Sequence, residues 1–395
     1  MIDFRVIAEG MRDELVNRRR DFHMYPELGF EEFRTSEIIA GELTQLGLHV
    51  QTNVGRTGVV SILEGQHDGP TVLVRADMDA LPIQEQNAVD YISRTPGKMH
   101  ACGHDAHITI ALAVAKIMVG LRSQICGRIK FIFQPGEEGH GGALEMIRDG
   151  VLKNPVPDVV LGMHVWTELP LGTVGVASGP VMSGSSIFTI IVKGKGGHAA
   201  IPYKTIDPVA CTGELIMALH TIVGRKMDAM AGAVVLSVTS VRTSSEAFNI
   251  IPQQVEIRGT FRTFNAYTSE IMEQHIQSVS KAVCASVGCE AHVTIKHLTI
   301  PLVNNLAVTK RVRKAMKQVV KSRALDQTVR TMASEDFSYL VDEIPGMFFL
   351  VGAANPNKGI TFGHHHPCFN IDEDVLPLGV ALMSASVSEF VMQDA

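Results

Sequence analysis

The stretch IKFIFQPGEEG (129–139) decides how this chain is read. An apolar, aromatic and β-branched run predicts a strand, and Pro135-Gly136 breaks it into a loop that at once presents two adjacent carboxylates, Glu137 and Glu138. A buried strand ending in a loop that carries chemistry points to an open α/β sheet, whose sites lie beyond the carboxyl ends of the strands.

Working outward, VVLGMH (159–164) is a second such run and ends on His164. Between the two runs and the amino terminus, His104 to Val119 places apolar residues on successive helical turns, directly after the loop HACG. Helices at about 3–20 and 31–47 and strands at Gly58–Glu64 and Thr71–Ala76 open this domain. The rhythm changes near Ser183: strand 185–194, loop KGGHAAIP, helix 207–223, strands 233–241 and 253–263, helix 267–286, strand 290–297. That βαββαβ order predicts a two-layer unit, with helices on one face of a four-stranded antiparallel sheet. A helix over 304–322, a strand at Met347–Val351 and a helix from near Asp372 toward Phe390 return the chain to the first domain. The expected organisation is a discontinuous domain, 1–183 with 300–395, interrupted by an inserted domain at 184–299.

Composition narrows the function. The 395 residues, 46% hydrophobic and 19% charged, suit a globular protein with a large core. A net charge of −6 offers no basic field for a phosphate backbone, so nucleic acid is not an expected partner. The first residues are charged and amphipathic, without the pattern of a secretory signal, and no uncharged 18-residue span follows, which predicts a cytoplasmic protein with no membrane partner. Six cysteines at irregular spacing (102, 126, 211, 284, 289 and 368) do not read as a disulfide scaffold. The glycine-rich stretches lack the G-x-x-x-x-G-K-[ST] order of a nucleotide phosphate loop.

The chemistry-bearing residues are dispersed. Cys102 and His104 pair a soft thiolate with an imidazole just before a helix whose first turn favours anions. Adjacent carboxylates on a turning backbone point in different directions, so one of Glu137 and Glu138 can hold a metal while the other faces attacking water. Each residue alone has a plainer reading: Cys102 as a buried hydrophobe, the glutamates as a solvated loop pair, His164 as a core histidine bonded to backbone. Their convergence on compatible rim positions favours a binuclear metallohydrolase.

A set of longer landmarks carries a family resemblance: HMYPELGFEE (23–32), RADMDALPI (75–83), MHACGHDAH (99–107), FQPGEEGHGGA (133–143), GMHV (162–165), GGHAAIP (196–202), NIIP (249–252) and HHPCFNIDED (365–374). Over nearly its whole length the chain resembles the M20 metallopeptidase and aminoacylase family, in the subgroup of hippurate hydrolases, auxin-conjugate amidohydrolases and bacterial N-acyl-amino-acid hydrolases. The resemblance implies a metal-dependent exopeptidase-like α/β catalytic domain and an inserted α+β domain that acts as lid and dimerisation element, giving a homodimer. It implies two divalent metal ions per subunit held by Cys102, His104, Glu138, His164 and a C-terminal histidine, with Cys102 between them. Thiolate, imidazole and carboxylate together suit Zn, Mn, Co or Ni. The family's H-x-P pattern falls on His365-His366-Pro367 and selects His365, but histidines on both sides leave His364 and His366 as alternatives.

The resemblance further makes Glu137 the general base, taking a proton from the attacking water and passing it to the departing amine. Asp79 and His107 resemble groups that orient the ligands. His198, in its glycine-rich loop, is linked to recognition and to stabilising the tetrahedral oxyanion, while Asn249 and Arg262 are candidate contacts for a substrate carboxylate. For Arg262, pairing on a solvated strand face is an equally good reading. The implied reaction is hydrolysis of an N-acyl-L-amino acid of acetyl, benzoyl or indoleacetyl type. The alternatives are a metallo-carboxypeptidase or dipeptidase acting on short peptides and, from a different class, a non-catalytic metal-dependent peptide-binding protein, against which the presence of Glu137 argues.

Overall fold

A computed structural model describes residues 2–392. The chain divides into two compact units: one formed by the chain up to Gly179, by Val303–Arg330 and by the chain from Asp336 onward, the other by Pro180–Leu302 with Thr331–Glu335.

The first unit begins with α1 (Phe4–Glu9), α2 (Arg12–Met24) and α3 (Phe33–Gln45), then β1 (His49–Val54), β2 (Gly58–Glu64) and β3 (His67–Asp77). The single helix expected over 3–20 is therefore two, separated at Gly10-Met11. Asp3 caps the first by accepting from the amides of Arg5 and Val6, and the short helix ends at Gly10. There follow α4 (His104–Gly120), β4 (Cys126–Gln134), α5 (Gly142–Arg148) and β5 (Val159–Pro170). Strand β5 runs six residues past His164, so that histidine lies within a strand rather than at its end.

In the second unit, β6 (Gly184–Lys193), α6 (Pro208–Arg225), β7 (Val234–Thr243), β8 (Gln254–Thr263), α7 (Ala266–Ser286) and β9 (Glu290–Thr299) follow in order. The sheet order is β7-β8-β6-β9, every neighbour antiparallel. Alternate residues Phe188, Ile190 and Val192 of β6 and Val255, Ile257 and Phe261 of β8 are buried. They share one core with Leu215, Leu219 and Ile222 of α6 and Met272 and Ile276 of α7. Cys211, Cys284 and Cys289 lie in the same core as free thiols.

Back in the first unit come α8 (Leu306–Met316), α9 (Ser338–Glu343), β10 (Gly346–Ala354) and α10 (Val375–Val391). The helix expected to reach 322 stops at Met316; Lys317 donates back to Arg313, and residues 322–324 form a separate 3-10 turn. The eight-stranded sheet runs β1-β2-β4-β3-β5-β10, then Val174–Gly175 and Leu325–Asp326. Strands β4, β3, β5 and β10 are parallel, while β1 and β2 form an antiparallel edge. The molecule is thus a mixed α/β protein with a large sheet containing parallel strands. Both α4 and α10 are apolar nearly all round and almost wholly buried, which is the composition of helices enclosed by a core rather than lying on it. Among the described residues no helix is long and apolar enough to cross a membrane.

Candidate metal centre

The site in the first unit gathers at the carboxyl ends of β3 and β4, where parallel strands release their loops. Strand β3 ends on Asp77 and its loop carries Asp79; β4 leads into Glu137-Glu138. Gly103, at φ +91°, forms the cap of α4; a β-carbon there would lie 2.5 Å from Val165 Cγ2, so only glycine lets the chain turn with Cys102 and His104 on either side.

Donor atoms fall into overlapping sets, each within 4.8 Å: Cys102, His104 and His164; Cys102, Glu138 and His365; His104, Glu137 and Glu138. Cys102 belongs to two of them. Its Sγ lies 3.4 Å from His164 Nε2. Glu138 Oε1 lies 3.4 Å from His365 Nε2 and 3.9 Å from His104 Nε2.

Hydrogen bonds set the tautomers. His104 Nδ1 lies 2.8 Å from the Asp79 carbonyl, and His164 Nδ1 lies 2.6 Å from the Val165 carbonyl. A carbonyl oxygen only accepts, so each ring donates from Nδ1 and turns Nε2 toward the cluster. His107 is different: Nδ1 bonds Asp77 at 2.5 Å, and Nε2 accepts from the Val165 amide at 2.9 Å. Both its nitrogens are engaged, which suits orienting a neighbour rather than holding a metal. Asp79 accepts from the amides of Glu137 and Glu138, 3.0 Å each, and so pins both glutamates.

Of the three C-terminal histidines, His365 alone joins a donor set. His364 lies 3.0 Å from the Val165 carbonyl and stacks on Trp166 at 4.4 Å; His366 stacks on Phe362 at 4.3 Å and accepts from Cys368 N–H.

Does this cluster suit a cation? The buried atoms His104 Nε2 and Glu138 Oε1 have no hydrogen-bond partner among the described residues, and orphaned buried polar atoms are costly unless something compensates them. Burial disfavours charge on His104, yet Asp77, Asp79 and Glu138 drive its pKa up to about 10. Burial, reinforced by Glu138, Glu137 and Asp77, pushes the Cys102 thiol well above its usual range. The cluster is a negative hole in the protein, and a divalent ion satisfies both orphaned atoms and reverses the penalty on the thiolate. The residues present fit a metal.

Sequence reasoning missed the support beneath. Arg75 bonds Asp77 at 2.5 Å, Gln134 at 2.9 Å and Asp336 at 3.0 Å, all buried. Asp336 also accepts from Gln134 Nε2 and the Ala143 amide, while its own N–H points to Glu137 Oε1 at 3.3 Å. The two-residue spacing of Arg75 and Asp77 marks a same-face pair on β3; nothing in the sequence ties either to Asp336.

The other predicted residues lie in the second unit. Gly197–His198 pairs antiparallel with Ile250–Ile251, and Ala199 N–H donates to the Asn249 carbonyl at 3.0 Å, so His198 and Asn249 are neighbours on an exposed edge. Arg262 is elsewhere in that unit, half-buried, bonding the Met332 carbonyl at 3.1 Å and Ser334 Oγ at 3.2 Å.

Comparison with known proteins identifies the family. Residues 73–389 match the model of peptidase family M20/M25/M40. The chain is 38% identical to IAA-amino acid hydrolase ILR1-like 2 of Arabidopsis thaliana, over 97% of this chain and 86% of that protein. It is 36% identical to thermostable carboxypeptidase 2 of Saccharolobus solfataricus, over 94% of each. Among solved structures, the Bacillus subtilis YXEP protein, described as a dinuclear metal-binding peptidase of family M20, superposes with a TM-score of 0.82 at 31% identity, covering 96% of this chain and 98% of that one. The chain belongs to the M20 family and is a hydrolytic enzyme. Membership sets aside the non-catalytic alternative.

Proposed function

We propose that this enzyme hydrolyses the amide bond of N-acyl-L-amino acids, using two divalent ions held by Cys102, His104, Glu138, His164 and His365, with Cys102 shared between them. The observation that carries the reading is the overlap of two donor sets at Cys102, beside a glutamate pair held by one aspartate. Zn, Mn, Co and Ni all suit this donor chemistry. Bound there, the ions would supply Lewis-acid polarisation of the acyl carbonyl and of the attacking water.

The protein's own groups do the rest. Glu137 takes a proton from the attacking water as the new C–O bond forms, then gives it to the nitrogen as the C–N bond breaks. Asp79 and His107 hold the glutamates and the ligand-bearing strands in register. Arg262 is a half-buried cation whose bonded partners are neutral oxygens, which supports a role in receiving the substrate carboxylate, with Asn249 assisting. His198 serves the developing oxyanion. The second unit acts as lid and as dimerisation element of a homodimer, in a cytoplasmic enzyme.

The identity to an IAA-amino acid hydrolase supports acyl amino acids as the substrate class; the near-equal identity to a carboxypeptidase supports short peptides as the second reading. Metal-reconstituted enzyme offered N-acetyl, N-benzoyl and indoleacetyl amino acids beside free dipeptides should cleave the first group and leave the dipeptides intact. Cleavage of dipeptides alone would replace this reading with the second.

His198→Ala should lower kcat/KM by about 10- to 1000-fold with metal content unchanged. Unaltered turnover would remove the catalytic role. Sedimentation of the wild type as a monomer at full activity would remove the dimer.

A further inference from the structure

The motif HMYPELGFEE has no part in the chemistry above, yet its last residue, Glu32, is fully buried and faces the catalytic loop. One carboxylate oxygen accepts from the Gly136 amide at 2.9 Å; the other accepts from Thr57 Oγ1 at 2.5 Å. Gly136 immediately precedes Glu137. The loop it belongs to contains glycines at 136, 139, 141 and 142, of which the first three hold positive φ, so its shape depends on hydrogen bonds: Gly139 N–H to the Glu137 carbonyl and Gly142 N–H to the Gly136 carbonyl within it, and the Glu32 bond from outside.

The same segment is moulded to that loop. A β-carbon on Gly29 would lie 2.5 Å from His140 Cδ2 and 3.1 Å from Gly136 Cα, and one on Gly136 would meet the Phe30 ring at 2.9 Å. Phe30 itself adopts φ +66°, a strained conformation for a bulky residue, and packs edge-on against His140 at 5.6 Å. Three residues back, the Glu27 carbonyl accepts from the Ala80 amide at 2.8 Å, next to Asp79. Residues 27–32 therefore touch both the loop bearing Asp79 and the loop bearing Glu137 and Glu138, and set the spacing between them.

We propose that Glu32 is a positioning residue for the reaction: its bond to the Gly136 amide, braced by Thr57, holds the Glu137-Glu138 loop at the height where Asp79 can pin both glutamates. The proposal rests on the reading of Glu137 as general base. Burial, with the charge of Asp79 adding to it, lifts the Glu32 carboxyl to about 7. Its protonated form is therefore accessible near neutrality, and Gln imitates that form: Oε1 still accepts from Gly136 N–H, and the side-chain amide donates to Thr57 Oγ1.

Glu32→Ala, Glu32→Gln and Thr57→Val test this through two readouts, hydrogen exchange of peptides covering 135–141 in the substrate-free holoenzyme and steady-state kinetics. In Glu32→Ala those amides should exchange about tenfold faster, with β4 unchanged. Its kcat should fall about 10- to 100-fold, with KM within about threefold and metal content equal to wild type. Glu32→Gln should recover kcat to within about threefold. Thr57→Val, which keeps the volume and removes the brace, should shift both readouts in the same direction as Ala and carries the test if Glu32→Ala does not fold. Wild-type loop exchange in the Ala and Val variants, or a Gln variant as impaired as Ala, overturns the proposal. Exchange is read without substrate, so its outcome is the same whichever substrate class the enzyme takes, whereas faster exchange with unchanged kcat on every cleaved substrate overturns the positioning role itself.

Discussion

Replacing Glu137 with Gln should lower kcat by about 100-fold or more while the metals stay bound. The substitution removes a proton acceptor and little else. Glutamine has nearly the same volume, and its carbonyl oxygen can keep the bond that Glu137 Oε1 receives from the Asp336 amide. Backbone bonds from residues 137 and 138 to Asp79 do not involve the side chain at all. Glu138, the proposed ligand, is untouched, so metal analysis of the purified variant should match wild type. A loss of kcat at constant KM then reports an interaction made in the transition state. Wild-type turnover with the metals in place would remove Glu137 from the mechanism, and a parallel loss of metal would reassign it as a ligand.

Cys102→Ala should have the larger effect on metal. Orienting groups around a metal typically change affinity by about 10- to 100-fold, so deleting the proposed shared ligand should cost at least about 100-fold, with activity falling in step. Geometry makes the variant clean: the thiol is the only donor it removes, and alanine at the end of the loop before Gly103 demands no new space. His104 would keep its bond to the Asp79 carbonyl, and His164 its bond to the Val165 carbonyl. Folded protein with weakened binding of both ions, measured by calorimetry and by elemental analysis after gel filtration, is the expected result. Retention of two tightly bound ions would show that Cys102 is not shared.

Much of the architecture can be read from local pattern. The run IKFIF and the break at Pro135-Gly136 mark a buried strand and its exit loop without knowledge of any neighbour, because periodicity and turn chemistry are properties of adjacent residues. The second unit is equally open, since polar–apolar alternation along 253–263 and the strand and helix order around it predict a two-layer packing. Helix ends are less open: the break at Gly10-Met11 and the stop at Met316 depend on which carbonyls the following amides reach.

The residue types that make the site were determined by the sequence itself: a thiol, imidazoles and paired carboxylates at loop and strand positions of an α/β chain. Which atoms of those residues meet was decided only by the tertiary structure. His365 stands apart from His364 and His366 because Trp166 and the Val165 carbonyl occupy one neighbour and Phe362 stacks on the other. Asp77, Arg75 and Asp336 converge although up to 261 residues of chain separate them. Glu32 reaches Gly136 across 104 residues. A ring's tautomer, an orphaned lone pair and a loop's height all depend on distances between segments remote in the chain, and such distances are set by how buried surfaces close on one another, which no local run of residues encodes.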